Sequence, residues 1–391
     1  MKATGGLSAE GLASVDAALA ELITAGELAG AVILVALHGK VVHRSEQGLK
    51  DIETGEPLAR DTIFRIYSMT KPVMGAAMMI LHDRGLWSPD DLVAKHLPEF
   101  AGVKLADGSA PSPAPTMRHL MTHTAGLAYG FDPNDPTDAA YIAAEVWRSD
   151  GLAEMARRLA GCPLAYQPGS RWRYSIAMDV QGAMLERLTG RTLPDFMREE
   201  IFAPLGMVDT DFFVPAAKLP RLAKLYRHSK RGHPVEVEPL FGRDASRIPR
   251  VPSGGGGVYS TADDYARFAQ MLLNKGELDG VRILSEEAVS LMTTNHLSDD
   301  LLAGGYGVGQ QQIRPGFGYG FDGAVFYDPA AAGSKVGRGT YLWDGAAGTW
   351  FWIDPANDLL FVGLIQRMDE RCPPVQRITQ TLIGEALGSQ S

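Results

Sequence analysis

In the stretch "FRIYSMTKPVMGAAMMIL", which begins at Phe64, a serine and a lysine stand three residues apart, Ser68 and Lys71. On a helix, that spacing brings both side chains to one face a single turn apart. A serine nucleophile needs such an arrangement with an amine that can take its proton. Alone, the spacing is a weak signal, and its ordinary reading is a serine N-cap beside a snorkelling surface lysine. The neighbouring residues add weight. "FRI" is an extended lead-in, and Pro72, which lacks an N–H, fits only a first helical turn, so the helix is expected to run from close to Ser68 to about Asp83. Free backbone N–H groups and the helix dipole at that end favour developing negative charge. The apolar continuation "VMGAAMMIL" would bury the first turn, desolvate the Lys71 ammonium and lower its pKa toward that of a useful base.

Such a nucleophile also needs a proton relay and an oxyanion hole. Tyr174 in "WRYSIAMDVQGAMLERLTG" follows a Pro-Gly turn and stands just before a helical pattern, a candidate for the relay. "GTYLWDGAAGTWFWIDP" reads as a strand turning at Asp344–Gly345, where a backbone N–H could be aimed at the serine. No G-x-S-x-G occurs, so the nucleophile elbow of α/β-hydrolases is absent.

The elements that must hold these residues can be read from periodicity. An amphipathic helix is expected near the N-terminus, followed by two strands, "AGAVILVAL" and "KVVHRSEQGL", joined by a hairpin at His38–Gly39. Residues 86 to about 250 read as helices and Pro/Gly-rich loops. "PSGGGGVYSTADDYARFAQMLLNKGEL" is a glycine-rich turn leading into a helix with Ser260 or Thr261 as N-cap. From Phe317 four short strand patterns follow, closed by an amphipathic helix from about Pro374 to Leu387. Short loops between the late strands imply an antiparallel meander that the N-terminal hairpin can extend. The fold expected is α/β (α+β) with two lobes. Residues 1–85 and 250–391 form a discontinuous lobe, an antiparallel sheet flanked by the terminal helices, and residues 86–249 form an inserted, mostly helical lobe. Ligands favour such lobe boundaries.

Composition narrows the function. The 391 residues are 45% hydrophobic and 21% charged, ordinary globular values, and the net charge of −9 argues against nucleic acid as a partner. The basic run "YRHSKRGH", Tyr226 to His233, reads as a solvated loop. Cys162 and Cys372 are the only cysteines, too few for a disulfide framework or a thiolate zinc site. The N-terminal segment is broken by Glu10, Asp16, Glu21 and Glu27, unlike a signal peptide, and no apolar run could span a bilayer. These features point to a cytoplasmic protein without a membrane partner.

Taken together, the segments resemble the serine β-lactamase-like superfamily, in particular the family VIII carboxylesterases, which share the fold of class C β-lactamases and DD-peptidases. "YSMTKPVMGAAMM", "MRHLMTHTAGL", "YQPGSRWRYSIAMDVQGAMLERLTG", "IFAPLGMVDTDF", "PSGGGGVYSTADDYARFAQMLL" and "TYLWDGAAGTWFWIDP" carry the resemblance, in order, over most of the chain. The resemblance implies Ser68 as a nucleophile forming an acyl-enzyme and Lys71 as holder of its proton. Tyr174 would act as general base and relay, either as phenolate or through hydrogen bonds to Lys71 and Ser68. The backbone N–H groups of Ser68 and Ala346 would form the oxyanion hole. Tyr129 and Trp343 would line the substrate pocket, with Asp344 beside them. A β-lactamase carries Y-x-N and a third motif beginning with Lys, where this chain has Tyr174-Ser175-Ile176 and Trp343-Asp344-Gly345. Ile176 cannot bond a substrate amide and Trp343 cannot attract a lactam carboxylate, so ester hydrolysis is favoured. Many relatives have W-G-G, so Asp344 is unusual, and if it faces the cleft it would repel anionic substrates. The resemblance implies a small-molecule ester substrate and no cofactor. Alternatives are an acyltransferase or transesterase, an amide (β-lactam or oligoamide) hydrolase, and a non-catalytic binding protein.

Other residues have plainer readings. His119 and His123 could share a metal on a helix, but without a HExxH glutamate they read as structural, and no metal is expected. The Gly254–Gly257 run lacks the K-[ST] of a phosphate loop and reads as a turn near the cleft. Asp263 and Asp264 read as helix N-terminal charges, and Met78 and Met79 as core.

Overall fold

His38 and Gly39 both take positive φ, 52° and 72°, the backbone of a tight two-residue turn matched to strand twist. They join Gly30–Leu37, buried along its whole length, to Lys40–Asp51, as expected from the sequence. In the computed structural model, which describes residues 6–229, 234–304, 307–308, 311–312, 315–369 and 371–388, this hairpin continues an eight-stranded antiparallel sheet. Its order is Phe317–Tyr319, Ala324–Phe326, Thr340–Asp344, Trp350–Asp354, Leu359–Leu364, Gly30–Leu37, Lys40–Asp51 and Glu56–Pro57. The late strands form a meander, and Leu359–Leu364 pairs with Gly30–Leu37 in register Val32 to Leu364 through Leu37 to Leu359, so the two chain ends make one sheet.

Side-chain alternation assigns the two faces. The Trp350 indole donates to Thr379 Oγ1 in the C-terminal helix Val375–Gly388, which packs against the N-terminal helix Ala9–Thr24. Phe351 points the other way, edge-on to Tyr265 of helix Ala262–Leu273, whose N-cap is Thr261. Tyr265 in turn donates from its hydroxyl to the Met69 carbonyl, linking that face to the segment that holds Ser68. Residues 93–205 supply the helices beyond, among them Ala177–Thr189, which packs on Thr70–Asp83. No helix among the described residues is long and apolar enough to cross a membrane.

Three local expectations need correction. The α-helix begins at Thr70 and not at Ser68, which lies in a preceding 3-10 turn, Tyr67–Met69. Helix Met117–Met121 ends before His123, so the i, i+4 spacing of His119 and His123 is not a helical one. Tyr226–His228 is a strand paired with Pro234–Glu236 rather than loop, and residues 230–233 of that basic run lie outside the described residues.

Candidate active site

Phe64–Arg65 is held extended by pairing with Tyr259–Ser260, and the chain must then turn sharply into the helix. Tyr67 makes that turn at φ 41°, a left-handed conformation that costs a non-glycine residue on the order of 1 kcal/mol. Its partners over-determine it. Tyr67 is buried, packed with Leu225 and Ala347, and Met69 N–H bonds back to the Ile66 carbonyl. The turn sets Ser68 at the wall of a cleft that Tyr129, Tyr174, Gly255 and Ala346 also line.

Two hydroxyls and an amine meet there. Ser68 Oγ lies 2.6 Å from Tyr174 Oη and 3.2 Å from Lys71 Nζ. Lys71 Nζ also lies 2.7 Å from the Gly255 carbonyl and 3.4 Å from Tyr129 Oη. Pro72 and the apolar turn after it leave Lys71 with 0% exposure. Burial lowers its pKa from 10.5 to about 7, against the attraction of Asp179, Asp322 and Asp344. Tyr174 moves the opposite way. Burial pushes its phenol well up, outweighing the hydrogen bond from Ser68.

Burial, not the hydrogen-bond pattern, is what favours the neutral amine at Lys71. Lys71 Nζ donates to Ser68 Oγ, to the Gly255 carbonyl and to the Tyr129 hydroxyl, three contacts that match the three donors of the ammonium. Gly255 makes this arrangement possible. A β-carbon there would stand 3.0 Å from Asp179 Oδ2, 3.1 Å from Tyr129 Oη and 3.5 Å from Lys71 Nζ. Asp179, five residues after Tyr174, accepts from the Gly255 N–H at 3.5 Å, and its Oδ2 is buried without a hydrogen-bond partner. Burial raises its pKa, with Lys71 among the groups lowering it. Asp322, at φ 57°, accepts from Gln181 Nε2 at 3.0 Å, and burial pushes its carboxyl well up. Sequence reasoning missed Asp179, Asp322 and the role of the glycine run as Lys71's acceptor. The signal for Asp179 was present as an acid one helical turn beyond the tyrosine motif.

Tyr174 is fixed from behind. His123 Nδ1 meets Ser175 Oγ at 2.9 Å, its ring lies 5.0 Å from that of Tyr174, and burial keeps the imidazole far below its usual pKa. His119 has a separate task. Its Nδ1 accepts the Thr116 N–H in a capping box. Ile176 is fully buried and donates its N–H to the Ala128 carbonyl.

The turn after Thr340–Asp344 reaches the cleft through Ala346, which lines it together with Ser68. Gly345 N–H bonds the Thr349 carbonyl, and Thr349 Oγ1 donates to the Ile66 carbonyl, tying this turn to the loop that carries Ser68. A β-carbon on Gly345 would stand 2.3 Å from the Ile66 oxygen, so only glycine fits. Tyr129 is in the cleft wall, stacked between Phe131 and Tyr174. Trp343 is not in the wall, because it is fully buried behind Tyr174, ring centroids 6.0 Å apart. Asp344 is not in it either. Directly paired residues share a sheet face, and Asp344 pairs with Trp350 on the face of the C-terminal helix, whereas Trp343 pairs with Phe351 on the cleft side. Strand alternation therefore turns its carboxylate away from the cleft, and its charge raises the pKa values of Lys71 and Tyr174.

An antiparallel sheet with helices on both faces and a serine, a lysine and a tyrosine meeting beside it is the setting in which residues 15–383 match the β-lactamase family. The chain belongs to that family. It is 38% identical over 382 residues to an uncharacterized protein of Mycobacterium tuberculosis, covering 92% of this chain and 90% of that one. Over 375 residues it is 36% identical to the esterase EstB of Burkholderia gladioli, covering 89% and 88%. Among solved structures it superposes on EstCE1, described as a hydrolase with promiscuous acyltransferase activity, with a TM-score of 0.82, 30% identity and coverage of 97% and 98%.

Proposed function

We propose that this chain is a serine carboxylesterase that forms an acyl-enzyme on Ser68, with Lys71 as general base and Tyr174 as proton relay. The observation that carries this reading is the meeting of Tyr174 Oη and Lys71 Nζ on Ser68 Oγ, with the amine wholly buried and its pKa lowered to about 7. Similarity to an esterase of Burkholderia gladioli supports the substrate class.

Of the two forms of the tyrosine relay, phenolate or hydrogen-bonded phenol, the electrostatics favour the phenol, because burial stabilises the neutral form. Lys71 is the group that loses its proton near neutrality. Ser68 O–H gives its proton to Lys71 Nζ as Oγ attacks the ester carbonyl, and the backbone N–H groups of Ser68 and Ala346 stabilise the oxyanion. As the alkoxide leaves, the Tyr174 hydroxyl supplies its proton, which the Lys71 ammonium restores. A water then repeats the sequence on the acyl-enzyme, and an alcohol in its place would make the same site an acyltransferase, consistent with the description of EstCE1. The free thiols of Cys162 and Cys372 suit a reducing compartment, and the cytoplasm is the proposed location.

Ser68→Ala should abolish both hydrolysis of a neutral 4-nitrophenyl ester and labelling by a fluorophosphonate probe, with circular dichroism unchanged. Tyr174→Phe should lower kcat by on the order of a hundredfold. Substantial turnover by purified Ser68→Ala protein would remove Ser68 from the mechanism.

A further inference from the structure

The turn between strands Phe317–Tyr319 and Ala324–Phe326 carries an acid that the reaction above does not use. Asp322 stands there at φ 57°, where glycine is the easier residue, and it is fully buried. Its N–H bonds the Met121 carbonyl at 3.0 Å, and its Oδ1 accepts from Gln181 Nε2 at 3.0 Å. Gln181 Nε2 also donates to the Leu120 carbonyl at 3.4 Å, so the nitrogen faces two acceptors and the amide orientation is set. A β-carbon on Gly75 would stand 3.1 Å from Asp322 Cβ and 3.3 Å from its Oδ2. Gly75 lies one helical turn after Lys71 on the same face, so the acid packs against the helix that carries the amine. Gln181 comes from helix Ala177–Thr189, which begins just after Tyr174.

Two oxygens are left over. Asp322 Oδ2 and Gln181 Oε1 are both buried, and neither has a hydrogen-bond partner among the described residues. A carboxylate and an amide carbonyl are acceptors only, so an ionised pair cannot satisfy either oxygen. Unpaired polar atoms are costly in an interior, and two of them on side chains already bonded to each other share one remedy. A proton on Oδ2 turns one acceptor into a donor, and its partner is the second polar atom of the amide already bonded at Oδ1. Two hydrogen bonds then close a ring between carboxylic acid and amide. The electrostatics agree, because burial pushes the Asp322 carboxyl well up against the attraction of Lys71, the one cation acting on it among the described residues. Tyr319 and Tyr341, on the strands beside it, are phenols that burial holds neutral.

We infer that Asp322 carries a proton on Oδ2 and donates through it to Gln181 Oε1, a positioning residue that ties the Lys71 and Tyr174 segments together without adding a negative charge beside the amine. Its role toward Lys71 rests on the esterase reading above, whereas the proton itself does not. The competing arrangement is an ionised Asp322 facing the Lys71 ammonium, with a water donating to both leftover oxygens.

Infrared spectroscopy reads the proton directly, because the C=O stretch of a carboxylic acid lies apart from those of carboxylates and backbone amides. At about pH 8, where ordinary carboxyls are ionised, the wild type should show an acid band that shifts in deuterium oxide and is missing from Asp322→Asn. In Gln181→Leu the band should persist and move to higher frequency, since the acid loses its partner. Asparagine can form both bonds of the ring and alanine neither. Asp322→Ala should therefore lower plateau kcat/KM for a neutral 4-nitrophenyl ester about tenfold, and Asp322→Asn should recover most of that loss with the wild-type pH midpoint. Absence of the acid band from the wild type would overturn the inference. So would a midpoint in Asp322→Asn lowered by about half a pH unit or more, because it would show that a negative charge on Asp322 had been supporting the Lys71 ammonium. A band unmoved in Gln181→Leu would overturn the pairing, and equal plateaus for alanine and asparagine would overturn the positioning role. A wild type without ester turnover would overturn the esterase reading and the role toward Lys71, and the band would still decide the protonation of Asp322.

Discussion

Replacing Asp179 by asparagine tests the proposed protonation of Lys71. Asp179 Oδ2 and Lys71 Nζ lie 3.0 Å and 3.5 Å from the point where a β-carbon on Gly255 would stand. The two atoms are therefore at most about 6.5 Å apart, where unit charges attract by about 2.5 kcal/mol at an effective dielectric near 20. That corresponds to nearly two pKa units on Lys71 if Asp179 is fully ionised. Burial raises the pKa of Asp179 itself, which trims the effect, so a downward shift of about one unit is expected on removing the charge. Asparagine keeps an oxygen for the Gly255 N–H, so the geometry should survive. The sign follows from the active form. Lys71 must be neutral to take the serine proton, so kcat/KM for a neutral ester should rise with pH to a plateau through a midpoint of about 7 in the wild type. In Asp179→Asn the midpoint should move to about 6. The assay is initial-rate kcat/KM between pH 5 and pH 9, corrected for spontaneous hydrolysis. A midpoint that stays put or moves upward would refute the assignment of the acid limb to Lys71 under the influence of Asp179.

Gly255→Ala should lower kcat on the order of a hundredfold while leaving the fold intact. Its β-carbon would intrude on Asp179 Oδ2, Tyr129 Oη and Lys71 Nζ together, and Gly255 is not among the positive-φ glycines, so alanine suits the backbone. Wild-type kinetics would show that this clearance is not required. Lys71→Met should abolish turnover yet raise Tm by about 2–4 °C near neutral pH, because it removes an amine whose charged form is disfavoured by burial. Lys71's folded pKa lies below its unfolded value of 10.5, so the unfolded chain takes up the proton first. Wild-type stability therefore falls as pH drops from 10.5 toward about 7. The Tm advantage of Lys71→Met should grow over that window and level off below it, and a difference independent of pH would contradict the lowered pKa.

Much of the architecture was legible because it is local. The His38–Gly39 turn, the run of short late strands and the helix that Pro72 anchors each follow from residues within a few positions of one another. The serine, lysine and tyrosine were candidates from type and spacing, and it was the resemblance to a known family that named them, together with Ala346, as site residues. The facing of Asp344 was not legible. It depends on register, and only its pairing with Trp350 shows that it points away from the cleft.

What brings the cluster together was decided by contacts between residues far apart in the chain. Ser68 and Tyr174 are 106 residues apart, Lys71 and its acceptor Gly255 are 184 apart, and Thr349 reaches Ile66 across 283. Sequence could say that an amine stands near a serine, and it anticipated burial from the apolar turn that follows. It could not say that Asp179 accepts from the N–H of the same Gly255 whose carbonyl takes the Lys71 hydrogen bond, because that follows from no local pattern. The chain's own residues determine the chemistry available at Ser68. The protonation of Lys71 depends on desolvation and Coulomb attraction, which exist only once distant segments have packed together.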